Sequence, residues 1–110
     1  MKIAFPTKSD KGQKDFVADV FARAPTFTII TVKNGKPTDT NVIINEAADL
    51  VQGTGPLVAR AMKTHEVNMV VSGDIGPGAA SFLETLEIKM IKTETGIKVS
   101  DALKSVLSNL

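Results

Sequence analysis

The sequence contains no cysteine, no tryptophan and no tyrosine, and its only histidine is His65. Without cysteine the chain can form no disulfide, and it offers no thiolate as a nucleophile or as a ligand for zinc or an iron–sulfur cluster. The aromatic residues are five Phe, which leaves few of the rings on which nucleic-acid bases stack. These absences exclude several familiar classes of enzyme and of cluster site.

Neither charge nor hydropathy is concentrated along the chain. The 13 basic and 12 acidic residues leave a formal charge of +1, without the basic face typical of proteins that bind nucleic acid or membranes. No apolar run approaches the roughly 20 residues that span a bilayer, and the first residues turn charged too soon for a secretory signal. We therefore expect a cytoplasmic protein that binds neither nucleic acid nor membrane. Its 110 residues, 43% of them hydrophobic, suit a single domain over residues 1–110.

The first half of the chain predicts three strands. Lys2–Pro6 has the pattern of a short strand ended by its proline, and a charged loop and one helical turn over 16–21 follow it. Asn34-Gly35 stands between two β-branched runs and predicts a tight hairpin. The second arm of the hairpin contains Pro37 and therefore belongs at the edge of a sheet.

The second half alternates helices with strands. Apolar spacing predicts a helix over Pro56–Lys63, with Pro56 in its first position, and another helix after the strand "NMVVSG". "IKMIK" predicts a further strand, and Ser100 is the expected cap of a last helix. The apolar stripe of that helix comprises Ala102, Leu103, Val106, Leu107 and Leu110. Because such alternation calls for parallel strands, we predict an α/β fold: a mixed five-stranded sheet with one antiparallel hairpin strand, covered by helices.

Two glycine-proline segments precede helices of the second half, "GTGP" at Gly53 and "GDIGP" at Gly73. The first amides of a helix have no internal partners, and glycines let a ligand approach them closely, which favours anions. Such segments are also ordinary turns that bind nothing. Neither is a nucleotide motif, because "GTGPLVAR" lacks the Lys-Ser/Thr of a P-loop and Val58 stands in place of the third glycine of the dinucleotide fingerprint.

Four segments occur in a distinctive order: "MKIAFPT" at the start, "VADVFARAPTFTI" from Val17, "GTGP", and "VVSGDIGPGA" from Val70. In that order they resemble the dinitrogenase iron-molybdenum cofactor biosynthesis family, over nearly the whole chain. The resemblance implies a ribonuclease H-like fold. It also implies a small non-catalytic protein that binds or carries the iron-molybdenum cofactor or related metal–sulfur clusters non-covalently, and that meets protein partners in cofactor assembly.

The resemblance implies an anionic cluster or an oxyanion as the ligand. Together with the two helix starts, it implies that this ligand is held between the two glycine-proline segments. The implied binding residues are Arg23, Gly53, Thr54, Gly55, Gly73, Asp74, Ile75 and Gly76. Two positions depart from the family's pattern: Val20 stands where a histidine is frequent, and Asp74 where a glycine is frequent. Because of these departures, an anionic cluster would have to be held by backbone amides of the loops and by Arg23. The alternative is a protein-interaction or regulatory module that has lost cluster binding.

Three polar residues have competing interpretations. Arg23 is either a cation for an anionic cargo or the surface partner of Asp19. Asp74 would repel an anion unless a metal or Arg23 lies between them; it is otherwise a turn residue, and a general base is the least favoured alternative. His65 is expected to be a turn residue, because no second ligand lies at a useful spacing. No catalytic residue is assigned, since the first strand lacks the acid that ribonuclease H-like nucleases require.

Overall fold

The computed structural model describes residues 1–109. They contain one five-stranded sheet with the strand order β3-β2-β1-β4-β5. The strands are β1 (Lys2–Thr7), β2 (Thr26–Lys33), β3 (Lys36–Ile44), β4 (Met69–Ser72) and β5 (Lys89–Lys92). The helices are α1 (Thr54–Thr64), α2 (Pro77–Thr85) and α3 (Val99–Ser108), with one short 3₁₀ turn at Gly12–Lys14.

The sheet is mixed, and β2 alone runs against the other strands. β2 pairs antiparallel with β1 and with β3, whereas β4 pairs parallel with β1 and with β5. The predicted α/β class and the single antiparallel strand are thus confirmed. The carboxyl ends of the four remaining strands lie at one edge of the sheet, which is where ligands of open α/β sheets commonly bind.

The hairpin between β2 and β3 is turned as the sequence predicts. Asn34 has φ 54° and Gly35 has φ 75°, the two positive values that a tight hairpin turn requires. β3 is an edge strand, so the missing amide of Pro37 interrupts no central ladder.

Two predictions for the first 25 residues are wrong. Pro6 lies inside β1, aligned with Phe27 of β2, and does not end the strand. It is tolerated because the pairing of β1 with β4 covers only Ile3 and Ala4. Beyond Ala4 that side of β1 meets only an isolated bridge between Thr7 and Val17, so the missing amide of Pro6 interrupts no continuous ladder.

The expected helical turn over 16–21 does not form: Phe16 and Val17 take part in isolated β-bridges, and residues 18–21 are irregular with bends. The amide of Val17 donates to the carbonyl of Ile97 at 2.8 Å, and that of Ala18 to the carbonyl of Pro6 at 2.8 Å. These long-range bonds replace the bonds of a helix. Phe16 and Val20 are consequently exposed.

The ends of two helices differ from expectation. α1 begins at Thr54, after Gly53 with φ 76°, so Pro56 is its third residue; this costs no bond, because the amide at that position has no intrahelical acceptor. α3 follows Lys98 rather than being capped by Ser100. The stripe of α3 is buried at Ala102, Leu103 and Val106, and the predicted Leu110 lies outside the described residues.

Two apolar clusters cover the two faces of the sheet. One contains Phe21 and Phe27, whose ring centroids lie 5.3 Å apart in an edge-on arrangement, together with the inner sides of α1 and α2. The other contains Phe5, Val71 and the inner side of α3. Within residues 1–109 no helix has the length and apolarity to cross a membrane.

Candidate functional site

The loops that follow β1, β4 and β5 meet at the carboxyl edge of the sheet. Their meeting point is Gly73, a buried residue. A Cβ at this position would lie 2.5 Å from Cγ2 of Thr95 and 4.0 Å from the carbonyl oxygen of Asp19. The absence of a side chain at Gly73 therefore allows the three loops to pack together.

The starts of α1 and α2 lie directly beside each other. A Cβ on Gly55 would be 2.9 Å from the amide nitrogen of Ala79 and 3.2 Å from its Cα, a distance that real Cβ atoms rarely tolerate. Gly55 is the second residue of α1 and Ala79 the third of α2. The structure therefore brings together the helices that follow the two glycine-proline segments.

Neither helix start is capped by a side chain. In α1 the Leu57 amide donates to the carbonyl of Gly53 at 3.3 Å, and in α2 the Ala80 amide donates to the carbonyl of Gly76 at 2.9 Å. The amides that precede these two bonds have no intrahelical acceptor, and they carry the positive end of each helix dipole. Two adjoining uncapped helix starts make this edge receptive to an anion.

A buried hydroxyl lies next to the glycine loop. Ser72, the last residue of β4, is fully buried, and its Oγ is the one buried side-chain oxygen or nitrogen among residues 1–109 that lacks a hydrogen-bond partner. Because side chains alternate along a strand, Ser72 faces the same side as Val70, which packs with α1 and α2. Ser72 was not among the predicted site residues, although a serine that ends the apolar run "MVV" could have indicated a polar group at the end of a buried strand.

Arg23 holds the segment that leads into α1. Its guanidinium donates to the carbonyl oxygens of Leu50 at 2.6 Å, Ala48 at 3.2 Å and Val51 at 3.4 Å. Within residues 1–109 it forms no ion pair, so the alternative pairing with Asp19 is wrong. Arg23 therefore positions the chain just before Gly53.

Asn45 reinforces the same connection. Its side-chain amide donates to the carbonyls of Ala22 at 2.8 Å and Ala24 at 2.9 Å, and its Oδ1 accepts from the amide of Ala47 at 3.1 Å. Asn45 and Arg23 together fasten the loop before α1 to the segment before β2. Asn45 is a structural contributor that the sequence analysis did not single out.

Asp74 is paired with Lys92 rather than with Arg23. Nζ of Lys92, at the end of β5, lies 2.8 Å from Oδ1 of Asp74, and both side chains are largely exposed. The hydrogen bond and the charge of Lys92 lower the pKa of Asp74, and Asp74 in turn raises the pKa of Lys92. The pair neutralises the carboxylate that would otherwise repel an anion at the glycine loop.

The remaining predicted residues divide between the two segments. Ile75 packs against the apolar cluster beneath α1 and α2, and Thr54 is buried at the start of α1. His65 ends α1, at the opposite end of the helix from Gly53. Across residues 1–109 there is no group of three His, Asp or Glu side chains arranged to hold a metal ion.

The fold and this edge together define a small α/β domain whose two glycine-proline segments lead into adjoining helix starts. The model of the family described as dinitrogenase iron-molybdenum cofactor matches residues 1–109. The chain therefore belongs to the dinitrogenase iron-molybdenum cofactor family, and the resemblance noted in the sequence is confirmed.

The chain is also similar to individual proteins. The protein MJ0580 of Methanocaldococcus jannaschii is 30% identical over 95 residues, which cover 86% of this chain and 76% of that protein. The apo form of the orange protein from Desulfovibrio gigas superposes with a TM-score of 0.90 at 22% identity, over 98% of this chain and 88% of its own. The Thermotoga protein TM1290 gives a TM-score of 0.80 at 27% identity, over 97% of this chain and 87% of its own. The likeness to the orange protein concerns the fold alone.

Proposed function

We propose that this protein binds and carries an anionic metal–sulfur cluster of the iron-molybdenum type, or a related oxyanion, without catalysing a reaction on it. The cargo lies between the two glycine-proline segments. The observation that carries the proposal is the contact of Gly55 with Ala79, which sets two uncapped helix starts side by side. Membership of the family supplies the class of cargo.

The donors at this edge suit an anion better than a bare metal ion. The chain has no thiol, and its single imidazole ends α1 far along the helix from Gly53. Backbone amides and the Ser72 hydroxyl can donate to the sulfur or oxygen atoms on the outside of a cluster, as amides do for phosphate at helix starts. Arg23 supports this arrangement by holding the loop before Gly53.

The alternative proposal is a protein-interaction or regulatory module that has lost cluster binding. The observation that favours it is Val20, which stands where the family often has a histidine and is 51% exposed. Elemental analysis of protein purified anaerobically from its native source discriminates between the two. Stoichiometric molybdenum or iron supports the carrier, whereas metal-free protein in a stable complex with another protein supports the module.

Anaerobic titration with tetrathiomolybdate, followed by amide NMR, tests the carrier proposal. We expect the largest shifts at the amides of residues 53–57 and 73–79, because these include the donors nearest to the anion. Molybdate and sulfate serve as matched oxyanions that separate cluster-like from simple anion binding. Shifts confined to other regions, such as the end of α1 at His65, would overturn the proposed site.

Replacing Ser72 with alanine separates its role in stability from its role in binding. We expect the free energy of unfolding to rise by about 1 kcal/mol, because a buried hydroxyl without a partner is removed. Tetrathiomolybdate should bind roughly fivefold more weakly, the equivalent of about 1 kcal/mol. Denaturant unfolding and the same titration measure the two effects.

Thr7 provides the control for the Ser72 variant. Its buried hydroxyl is hydrogen-bonded to Oγ1 of Thr26 at 2.6 Å and to Oγ1 of Thr28 at 3.1 Å. Thr7→Val should therefore lower the free energy of unfolding by about 1 kcal/mol. This change is opposite in sign to the one expected for Ser72→Ala. A loss of stability in Ser72→Ala would mean that the Ser72 hydroxyl has a partner.

A further inference from the structure

Large apolar side chains are exposed around the outer side of α1, next to the first glycine-proline segment. Leu57 is 47% exposed, Phe82 of α2 is 48% exposed, and Ile44 at the end of β3 is 77% exposed. Scattered apolar side chains are normal on a surface, but a contiguous group of them commonly marks a site of interaction. The clefts that these three side chains line show whether the side chains form one contiguous group.

Leu57 joins two clefts that lie on opposite sides of α1. The hairpin cleft, of about 620 Å³, is formed by α1 with the ends of β2 and β3 and includes Ile44 and Leu50. The helix cleft, of about 510 Å³, is formed by α1 and α2 and includes Phe82 and Leu86. The exposed apolar side chains therefore form one surface that crosses α1 at Leu57.

The charges on this surface are segregated by sign. Glu46 is the only acidic or basic side chain, apart from His65, in the lining of the hairpin cleft. The helix cleft is lined by Arg60 and Lys63 and by no acid. In the described part of the chain, none of these three charges takes part in an ion pair. A cleft with one acidic side chain and a cleft with two basic side chains thus flank Leu57.

A surface of this kind is complementary to itself. A two-fold axis through Leu57 would place the hairpin cleft of one copy over the helix cleft of another, since an isologous contact pairs each patch with its counterpart. Glu46 of each copy would then face Arg60 and Lys63 of the other. The net charge of +1 means that two copies repel each other only weakly.

We infer that a second copy of this chain docks on this face, around a two-fold axis near Leu57. Phe82 of each copy enters the hairpin cleft of the other, and Ile44 enters the helix cleft. Aromatic anchors that fill a partner's pocket commonly dominate association. Leu57 directly follows the first glycine-proline segment, and Pro56 lines the helix cleft, so the dimer surface adjoins the proposed cargo site.

Sedimentation equilibrium of the wild-type chain, from about 1 µM to about 1 mM, tests the inference over the range of weak to moderate dissociation constants. We expect a reversible monomer–dimer equilibrium. Leu57→Asp should raise the dimer dissociation constant at least about tenfold, because it buries a carboxylate at the axis. A wild-type chain that stays monomeric throughout the range, or a dimer that Leu57→Asp leaves unchanged, overturns the inference.

Charge reversal gives a stricter test, because it leaves Leu57 at the centre of the surface unchanged. Two variants are measured separately: the single variant Glu46→Lys, and the double variant Arg60→Glu with Lys63→Glu. Each should dimerise at least about tenfold more weakly than the wild type, because like charges then face each other. An equimolar mixture of the two variants should form heterodimers at near wild-type affinity, since every facing pair is again opposite in sign. A mixture that remains monomeric overturns the two-fold geometry.

Asp101→Lys, an exposed charge reversal on α3, is the matched control, because it raises the formal charge from +1 to +3 just as Glu46→Lys does. It should leave the dimer dissociation constant within about twofold of the wild type. Circular dichroism confirms that each variant is folded before the comparison. An effect of Asp101→Lys as large as that of Glu46→Lys would show that association follows net charge, which overturns the assigned surface.

Discussion

Gly55→Val should separate the starts of α1 and α2 and abolish tetrathiomolybdate binding. Its Cβ would stand 2.9 Å from the backbone nitrogen of Ala79, and a backbone atom cannot move aside as the tip of a side chain can. Overpacking of this kind costs about 1–3 kcal/mol, and we expect the upper end because both helices must shift. Denaturant unfolding measures the loss, and amide NMR shows whether α2 moves.

Gly78 is the matched control, because it is the second residue of α2 just as Gly55 is the second residue of α1. A Cβ on Gly78 meets nothing within 4 Å. Gly78→Ala should therefore stabilise the protein by up to about 1 kcal/mol, through the lower conformational entropy of its unfolded chain. If Gly55→Val proved as well tolerated as Gly78→Ala, the close approach of the two helices would be refuted.

Asp15→Ala should destabilise the protein by about 3 kcal/mol at neutral pH. The carboxylate is 1% exposed and accepts from the amide of Phe16 at 2.7 Å, the amide of Ser9 at 2.9 Å, the hydroxyl of Ser9 at 3.0 Å and the amide of Lys11 at 3.3 Å. Removing it leaves several donors without an acceptor, and bonds to a charged group are the stronger kind. Unfolding in urea near pH 7 measures the loss.

The same carboxylate gives the stability a defined pH dependence. Burial by itself would raise the pKa of Asp15, but the hydrogen bonds from Phe16, Ser9 and Lys11 outweigh it and lower the pKa below the ordinary 3.8. A lowered pKa in the folded state contributes stability that is complete above about pH 5 and is lost as the pH falls through the folded value. The gap between the wild type and Asp15→Asn should therefore narrow below pH 3.8.

Asp10→Asn is the control for both Asp15 variants, because Asp10 is an exposed carboxylate in the same loop. It should change the free energy of unfolding by no more than about 0.5 kcal/mol at any pH. A gap between the wild type and Asp15→Asn that stays constant down to pH 2, or that widens in acid, would contradict the assigned role of the carboxylate.

Elements that depend on local chemistry could be predicted from the sequence. The hairpin follows from Asn34-Gly35, which needs only its own positive φ values. The alternation of strands and helices after residue 54 likewise follows from short-range apolar spacing. The proline of the "GDIGP" segment is the first residue of α2, where an amide has no partner in any fold.

Elements that depend on distant backbone atoms could not be predicted. The spacing of Phe16, Val17, Val20 and Phe21 fits a helix, yet the amides of this segment bond to the carbonyls of Pro6 and Ile97. The partners of Arg23 are also carbonyls, which every residue type carries, so no pattern of side chains reveals them. Asp15 lies within a charged run that is typical of a solvated loop, and only its burial distinguishes it.

The candidate site was found only in part for the same reason. The glycine-proline segments are visible in the sequence, but the contact between their helices depends on how the sheet orders its strands. Lys92, the partner of Asp74, lies 18 residues further along the chain at the end of the neighbouring strand. The ribonuclease H-like assignment and the eight binding residues stay predictions.

β1 joins two halves of the sheet that are distant in sequence. It connects the local β2–β3 hairpin to the β4–β5 half of the sheet. The amide of Lys2 donates to Oδ1 of Asn68 at 2.7 Å, across 66 positions of sequence. Because non-local pairings form more slowly than local ones, we expect the β2–β3 hairpin to form before β1 pairs with β4. The edge that holds the candidate site depends on this β1–β4 pairing.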